Sequence, residues 1–81
     1  MANTINVAIT TPGLWTEALT TVTTGIVSIA TSGQHCIHTG APDATLIGHR
    51  FTGDLVPFSL AAGESLYVKS DGVTTVIITE D

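Results

Sequence analysis

The sequence predicts a small all-β protein, an antiparallel β-sandwich or jelly-roll-like barrel of about six to eight short strands. Fifteen of the 81 residues are threonine, and most of them lie among Val and Ile. Such β-branched side chains lose χ1 freedom in a helix but pack well on a pleated sheet. Gly and Pro interrupt the chain at intervals typical of short strands. With no linker or internal repeat, residues 1–81 are expected to form a single β domain.

Four strands are predicted in the first part of the chain. Residues 5–9 alternate with period two and stop before Pro12-Gly13. Residues 26–30 and 35–38 are the next two strands, each followed by turn-forming residues. Residues 45–47 are expected to form a fourth strand, which Gly48 weakens at its end.

Residues 14–22 fit two structures. Trp15, Leu19 and Val22 have helical spacing, and Thr11 with Pro12 could start a short helix. The β-branched run 20–24 instead favours a strand or an extended loop. The sequence leaves both possibilities open.

The last third is predicted to contain strands at 56–60, 65–70 and 73–79. Pro57 indicates an edge strand, because proline lacks a backbone donor. Asp71-Gly72 predicts a two-residue hairpin loop, since a type I′ turn needs positive φ at both positions. Such a loop would pair Ser70 with Val73, Val68 with Thr75, and Leu66 with Ile77.

Both faces of that predicted hairpin would be rich in apolar residues. One face would carry Leu66, Val68, Val73, Thr75 and Ile77, and the other Tyr67, Lys69, Thr74, Val76 and Ile78. A half-solvated sheet is expected to be polar on one side. Either a loop covers the second face, or that face contacts another subunit.

Charge excludes several classes of partner. The chain has 2 basic and 7 acidic residues, a net charge of −5, and only 11% charged residues. Two cations cannot neutralise many phosphates. We therefore expect neither nucleic acid nor an anionic membrane as a partner. No secretory signal or long apolar span is visible, which favours a protein made in a cytoplasm.

A core of this size usually needs additional stabilisation. Cys36 is the single cysteine, so an internal disulfide is excluded. His35, Cys36, His38 and the nearby His49 form a weak metal-binding pattern, because Cys36 and His38 share one strand face and His35 points to the other. We therefore expect no metal and no cofactor, and favour a homo-oligomer, either a dimer or a trimer.

Catalysis is not expected. The chain contains no Gly-x-Ser-x-Gly elbow, no phosphate-binding glycine loop and little room for an enclosed pocket. Trp15 is interpreted as a core plug or an interface anchor. Arg50 and Lys69 are the two long cations, and each is a candidate ion-pair partner for a neighbouring subunit.

Several segments resemble the small virion structural proteins of tailed bacteriophages. They are GHRF at 48–51, LAAGESLYVKS at 60–70, Asp71-Gly72, and VIITE at 76–80, together with a Thr-rich start that includes Trp15. The resemblance implies a compact β-sandwich or jelly roll that binds the outside of a capsid as a dimer or trimer.

These observations together predict a capsid decoration protein, made in the host bacterial cytoplasm and located on the capsid surface of the virion. Its partner would be the major capsid protein. The candidate contact residues are Ile5, Val7, Trp15, Arg50, Tyr67, Lys69, Val76 and Ile78. The alternative is a receptor- or glycan-binding module of a phage tail or fibre, which should expose a cluster of aromatic side chains.

Overall fold

A computed structural model describes residues 3–80, and within this range the chain forms eight strands and no helix. The strands are β1 (Asn3–Ile9), β2 (Thr16–Leu19), β3 (Thr24–Ile29), β4 (Gly33–His38), β5 (His49–Phe51), β6 (Val56–Ser59), β7 (Ser65–Ser70) and β8 (Thr74–Glu80). Sheet A has the order β1-β8-β3-β6, and sheet B has the order β2-β7-β4-β5. The predicted all-β sandwich is therefore confirmed. The described residues include no helix that could cross a membrane.

The strand pairing is that of a jelly roll. β1 pairs with β8, β2 with β7, β3 with β6, and β4 with β5, all antiparallel. The chain therefore resembles one long antiparallel ribbon that is rolled up, and the β3–β8 and β4–β7 pairs complete the two sheets. Eight strands in two sheets connected this way define the jelly-roll architecture.

One apolar core lies between the sheets. Strand residues point alternately to the two sides of a sheet, so every second residue of each central strand faces inward. The most deeply buried apolar residues are Ile9, Val27, Ile29, Leu66, Val68, Val76 and Ile78, none more than 2% exposed. Since they come from both sheets, the core holds the two layers together.

Most predicted strands are present. Residues 5–9, 35–38 and 65–70 lie in strands, as does the predicted segment 26–30 except for Ala30, and the ambiguous stretch 14–22 contains β2 rather than a helix. The predicted edge position of Pro57 is also confirmed, because β6 ends sheet A. The prediction of a strand at 45–47 is wrong. There the Asp43 carboxylate accepts hydrogen bonds from Thr45 N and Oγ1 at 2.9 Å, which folds the segment into a turn.

The predicted Asp71-Gly72 hairpin is wrong. β7 belongs to sheet B and β8 to sheet A, so residues 71–73 cross between the sheets. Neither Asp71 nor Gly72 has a positive φ, so no type I′ turn forms. Long-range contacts hold Asp71 instead. Its carboxylate accepts hydrogen bonds from Ser32 Oγ at 2.8 Å and Arg50 Nη2 at 2.7 Å.

Candidate docking surfaces

The outer surface of sheet A is the first candidate docking surface. Val27, Ile29, Val76 and Ile78 point into the core, so their neighbours along each strand point outward. The strand registers extend this assignment to β1 and β6. We call the resulting set the uncharged face: Thr4, Asn6, Ala8, Thr24, Ile26, Ser28, Pro57, Ser59, Thr75, Ile77 and Thr79.

None of the side chains of the uncharged face is charged, and none is buried. Thr4 Oγ1 and Thr79 Oγ1 share a hydrogen bond of 2.9 Å across β1 and β8. Removing neutral hydroxyl, amide and methyl groups from water costs far less than removing the charge of a Lys or Glu. The uncharged face is therefore an open surface that another protein can cover at low desolvation cost.

A groove of about 350 Å³ crosses one side of the uncharged face. It is lined by Thr24, Gly25, Ile26, Pro57, Phe58 and Thr79. The strands approach closely here because residue 25 is glycine, and a Cβ at that position would collide with the Thr79 carbonyl oxygen. This lining contains hydroxyl and apolar groups but no side chain that ionises near neutral pH. The groove is suited to receive an apolar side chain rather than to perform acid–base chemistry.

The outer surface of sheet B is partly covered by the chain itself. Lys69 Nζ donates hydrogen bonds to the Ala44 carbonyl at 3.0 Å and the Leu46 carbonyl at 2.9 Å. These bonds hold the 39–48 loop against β7. The same ammonium lies 4.7 Å from the centre of the Trp15 ring, a cation–π contact. The sequence left open whether a loop covers the second apolar face or another subunit contacts it. On this sheet, a loop of the chain lies over that face.

Trp15 and Tyr67 belong to this covered surface. A Cβ at Gly48 would lie 2.6 Å from the Trp15 ring, so Gly48 makes room for the indole. The Tyr67 hydroxyl donates a hydrogen bond of 3.1 Å to Glu17 Oε2. Burial and this bond to a carboxylate both raise the pKa of Tyr67. Both aromatic side chains therefore stabilise the fold from outside sheet B.

One end of the sandwich forms a second, smaller candidate surface. Gly13 N donates to Ser70 O at 3.0 Å and Asp71 N to Ser32 O at 3.2 Å, which joins three loops at this end. Leu14 and Val73 on these loops are 49% and 71% exposed. The Arg50–Asp71 ion pair of 2.7 Å lies among them. Hydrogen bonds from Ser32 and Arg50 lower the pKa of Asp71. Because burying these charges against another protein would be costly, this end is less suited to docking than the uncharged face.

The candidate metal-binding residues do not converge. His35 faces inward, with its ring 4.9 Å from Phe51 and 5.5 Å from His49. Burial, and then repulsion from His49, lower the pKa of His35. Cys36 lies on the opposite side of β4, where burial raises the pKa of its thiol. Within residues 3–80, no three His, Cys, Asp or Glu side chains are placed to hold a metal ion.

The candidate contact residues chosen from the sequence fall into two groups. Ile5 and Val7 pack partly buried against the core, and Val76 and Ile78 are 0% exposed within it. Ile5 lies opposite Ile78 and Val7 opposite Val76, so all four side chains point toward the space between the sheets. Val76 and Ile78 had been assigned to a surface through a hairpin that does not form. The others lie on the outer side of sheet B or its rim, where each makes an intramolecular contact: Trp15, Arg50, Tyr67 and Lys69.

The uncharged face was not predicted from the sequence. Its signal was present in the alternate residues of β1 and β8, which are Thr4, Asn6 and Ala8 and then Thr75, Ile77 and Thr79. Recognising it required knowing that β8 pairs with β1 and β3 rather than with β7.

Comparisons with protein-family models, with curated proteins and with solved structures found no match to this chain.

Proposed function

We propose that the protein is a capsid decoration (cement) protein of a tailed bacteriophage. It binds the outer surface of the assembled shell, contacts the major capsid protein and is itself a homo-oligomer. The observation that supports this proposal best is the uncharged face, an open sheet surface without a single charge in a protein of net charge −5. Such a surface suits docking on another protein better than contact with phosphate or a charged substrate.

When many copies bind a regular capsid lattice, a modest affinity at each contact is sufficient for stable attachment. A ligand that binds only the assembled shell stabilises that state by mass action. Repetition over many equivalent sites lets a subunit that bridges neighbours bind more tightly than either contact alone. On this proposal the uncharged face lies against the capsid, and the groove beside Gly25 receives an apolar side chain of the shell.

The tail or fibre alternative has less support. A glycan- or receptor-binding module of that kind should expose an aromatic cluster. Phe51, Tyr67 and Phe58 are 3%, 6% and 8% exposed, and Trp15 lies half-buried beneath Lys69. These four are the aromatic residues of the chain, so its surface offers no ring platform for a sugar.

The proposal is tested with empty capsids of the phage whose genome encodes this chain. Purified protein is mixed with the capsids, co-sedimentation measures binding, and calorimetry measures the melting temperature of the shell. We expect saturable binding and a higher melting temperature. Failure to bind intact capsids would overturn the proposal.

A matched pair of substitutions locates the contact surface. Ile77→Lys places a charge in the middle of the uncharged face, whereas Ile47→Lys places one on the 39–48 loop, where Ile47 is 81% exposed. Burying an unpaired ammonium is costly, so Ile77→Lys is expected to weaken capsid binding about 100-fold or more. Ile47→Lys should bind like the wild type. The reverse pattern would assign binding to sheet B and refute docking through the uncharged face.

A further inference from the structure

Three of the four sheet-edge strands carry features that block further strand pairing. β6 contains Pro57, which removes a backbone donor. β5 has three residues, including Arg50. β2 has four, with an irregular register between Glu17 and Leu19. Short length, charge, proline and bulges are the means by which proteins prevent edge-to-edge association.

The fourth edge, β1, has none of these features. Its seven residues contain no charge and no proline, and their register with β8 is unbroken from Asn3 to Ile9. Among residues 3–80, β1 pairs with β8 alone. In such an edge strand, every second residue directs its backbone N–H and C=O away from the sheet. The unpaired groups of β1 can therefore accept one more extended strand.

We propose that β1 pairs antiparallel with β1 of a second copy of this chain, about a two-fold axis beside Asn6. Centred there, the pairing places Asn6 opposite Asn6, Ile5 opposite Val7 and Thr4 opposite Ala8 of the partner, so only uncharged side chains meet. Charge disfavours self-association at the β2 and β5 edges, and Pro57 disfavours it at β6. Two copies joined at β2 would bring their Glu17 carboxylates together, and two joined at β5 would bring their Arg50 guanidinium groups together.

The dimer has a consequence for the surface of sheet A. A two-fold axis perpendicular to the sheet leaves the outer side of both copies facing the same direction. The two four-stranded sheets then form one eight-stranded sheet, and the two uncharged faces become continuous. This dimer forms through β1 alone and does not require binding to a capsid.

Charge substitutions at the two edges of sheet A provide the first test. Asn6 and Ser59 are both exposed and point outward, Asn6 from β1 and Ser59 from β6. We expect light scattering after size exclusion, at tens of micromolar protein, to give twice the chain mass of 8.3 kDa for the wild type and for Ser59→Lys. Asn6→Lys should give the monomer mass, because two ammonium groups would meet at the axis. Circular dichroism confirms that the variants fold.

A cross-linking experiment tests the register. In a Cys36→Ser background, Asn6→Cys places two thiols opposite each other at the axis, with Cα atoms about 4.5–5.5 Å apart, a distance compatible with a disulfide. Mild oxidation should produce a covalent dimer from Asn6→Cys and not from Ser59→Cys. A wild-type protein that stays monomeric, a dimer that survives Asn6→Lys, or cross-linking through Ser59→Cys instead would each overturn the proposal.

Discussion

The outer surfaces of the two sheets differ although both cover the same core. Sheet A presents the uncharged face, which no other segment of the described chain covers. Sheet B carries both long cations: Lys69 holds the 39–48 loop, and Arg50 pairs with Asp71 at the rim. The two surfaces thus solve the problem of apolar sheet residues in different ways. The outer side of sheet B is partly covered by the chain's own 39–48 loop, whereas the outer side of sheet A is left open.

The two sheets also differ in where charged side chains lie. Lys69 is placed where it replaces solvent for two backbone carbonyls, and Glu17 where it accepts a hydrogen bond from Tyr67. Charges near sheet B therefore have internal partners. The solubility of the outer side of sheet A depends on Thr, Ser and Asn instead, which leaves a surface of low desolvation cost.

The largest expected effect is a difference in stability between substitutions at two adjacent residues of β8, one on each side of sheet A. Ile78 is 0% exposed in the core, whereas Ile77 points outward. Ile78→Ala should lower the free energy of unfolding by about 2–5 kcal/mol, because it leaves a cavity, and Ile77→Ala by no more than about 1 kcal/mol. Urea unfolding followed by Trp15 fluorescence measures both. Equal losses would show that the assignment of the two sides is wrong.

Substitutions at two glycines test the close approach of β3 to β8 within sheet A and the crossing of residues 71–73 between the sheets. Gly25→Ala should destabilise the protein by about 1–3 kcal/mol, since its Cβ meets the Thr79 carbonyl oxygen. Gly72→Ala should change stability by less than about 1 kcal/mol, because no atom beyond the adjoining residues lies within 4 Å of its added Cβ and its φ is not positive. Denaturant midpoints compare them. A strong loss at Gly72 would instead support the hairpin turn.

Truncation of the two cations tests how sheet B is covered. Lys69→Ala removes two hydrogen bonds to carbonyls and the contact with Trp15, so we expect a loss of about 1–2 kcal/mol. Arg50→Ala removes an ion pair whose side chains are 57% and 49% exposed, and should cost less than about 1 kcal/mol. Hydrogen exchange should speed up in the 39–48 loop of Lys69→Ala alone. Unchanged exchange there would contradict the role of Lys69.

The smallest expected effect is a pH dependence that arises in sheet B. Burial and His49 hold the pKa of His35 below its usual 6.5, so the unfolded chain takes up a proton at a higher pH than the folded chain does. Stability from this residue is complete above pH 6.5 and declines as the pH falls from there to the folded pKa. Urea midpoints between pH 8 and pH 5 should fall less steeply for His35→Gln than for the wild type. Parallel curves would exclude His35 as a source.

Local patterns in the sequence were sufficient for most strands and insufficient for their pairing. Period-two alternation located β1, and the turn-forming residues that bound them located β3, β4 and β7, because both signals depend on residues close together in the sequence. The Asp71-Gly72 turn signal failed because Ser32 and Arg50, distant in sequence, hold Asp71 in a crossing between sheets. The segment 45–47 failed for a local reason, since the Asp43 carboxylate offers its backbone an alternative to a strand.

The candidate docking surface was likewise predictable from the sequence only in part. The shortage of charge was readable from composition, and the expectation of a protein partner was based on it. The outward-facing residues were not readable, because a strand with apolar residues on both sides does not reveal which side faces the core. Val76 and Ile78 were assigned to a surface through a pairing that does not occur, and Thr75 and Ile77 lie outside instead.

The sequence by itself determined that this chain forms short β-strands, that they belong to an all-β sandwich, and that its surface is poor in charge. Each of these depends on side-chain type and on nearest neighbours along the chain. The tertiary structure decided that strand pairing follows a jelly roll, that the outer side of sheet B is partly covered by its own loop, and that sheet A is left open with an unprotected edge at β1. Pairing joins residues far apart in sequence, and a change of partner or of register by one residue exchanges the buried and exposed sides of a strand.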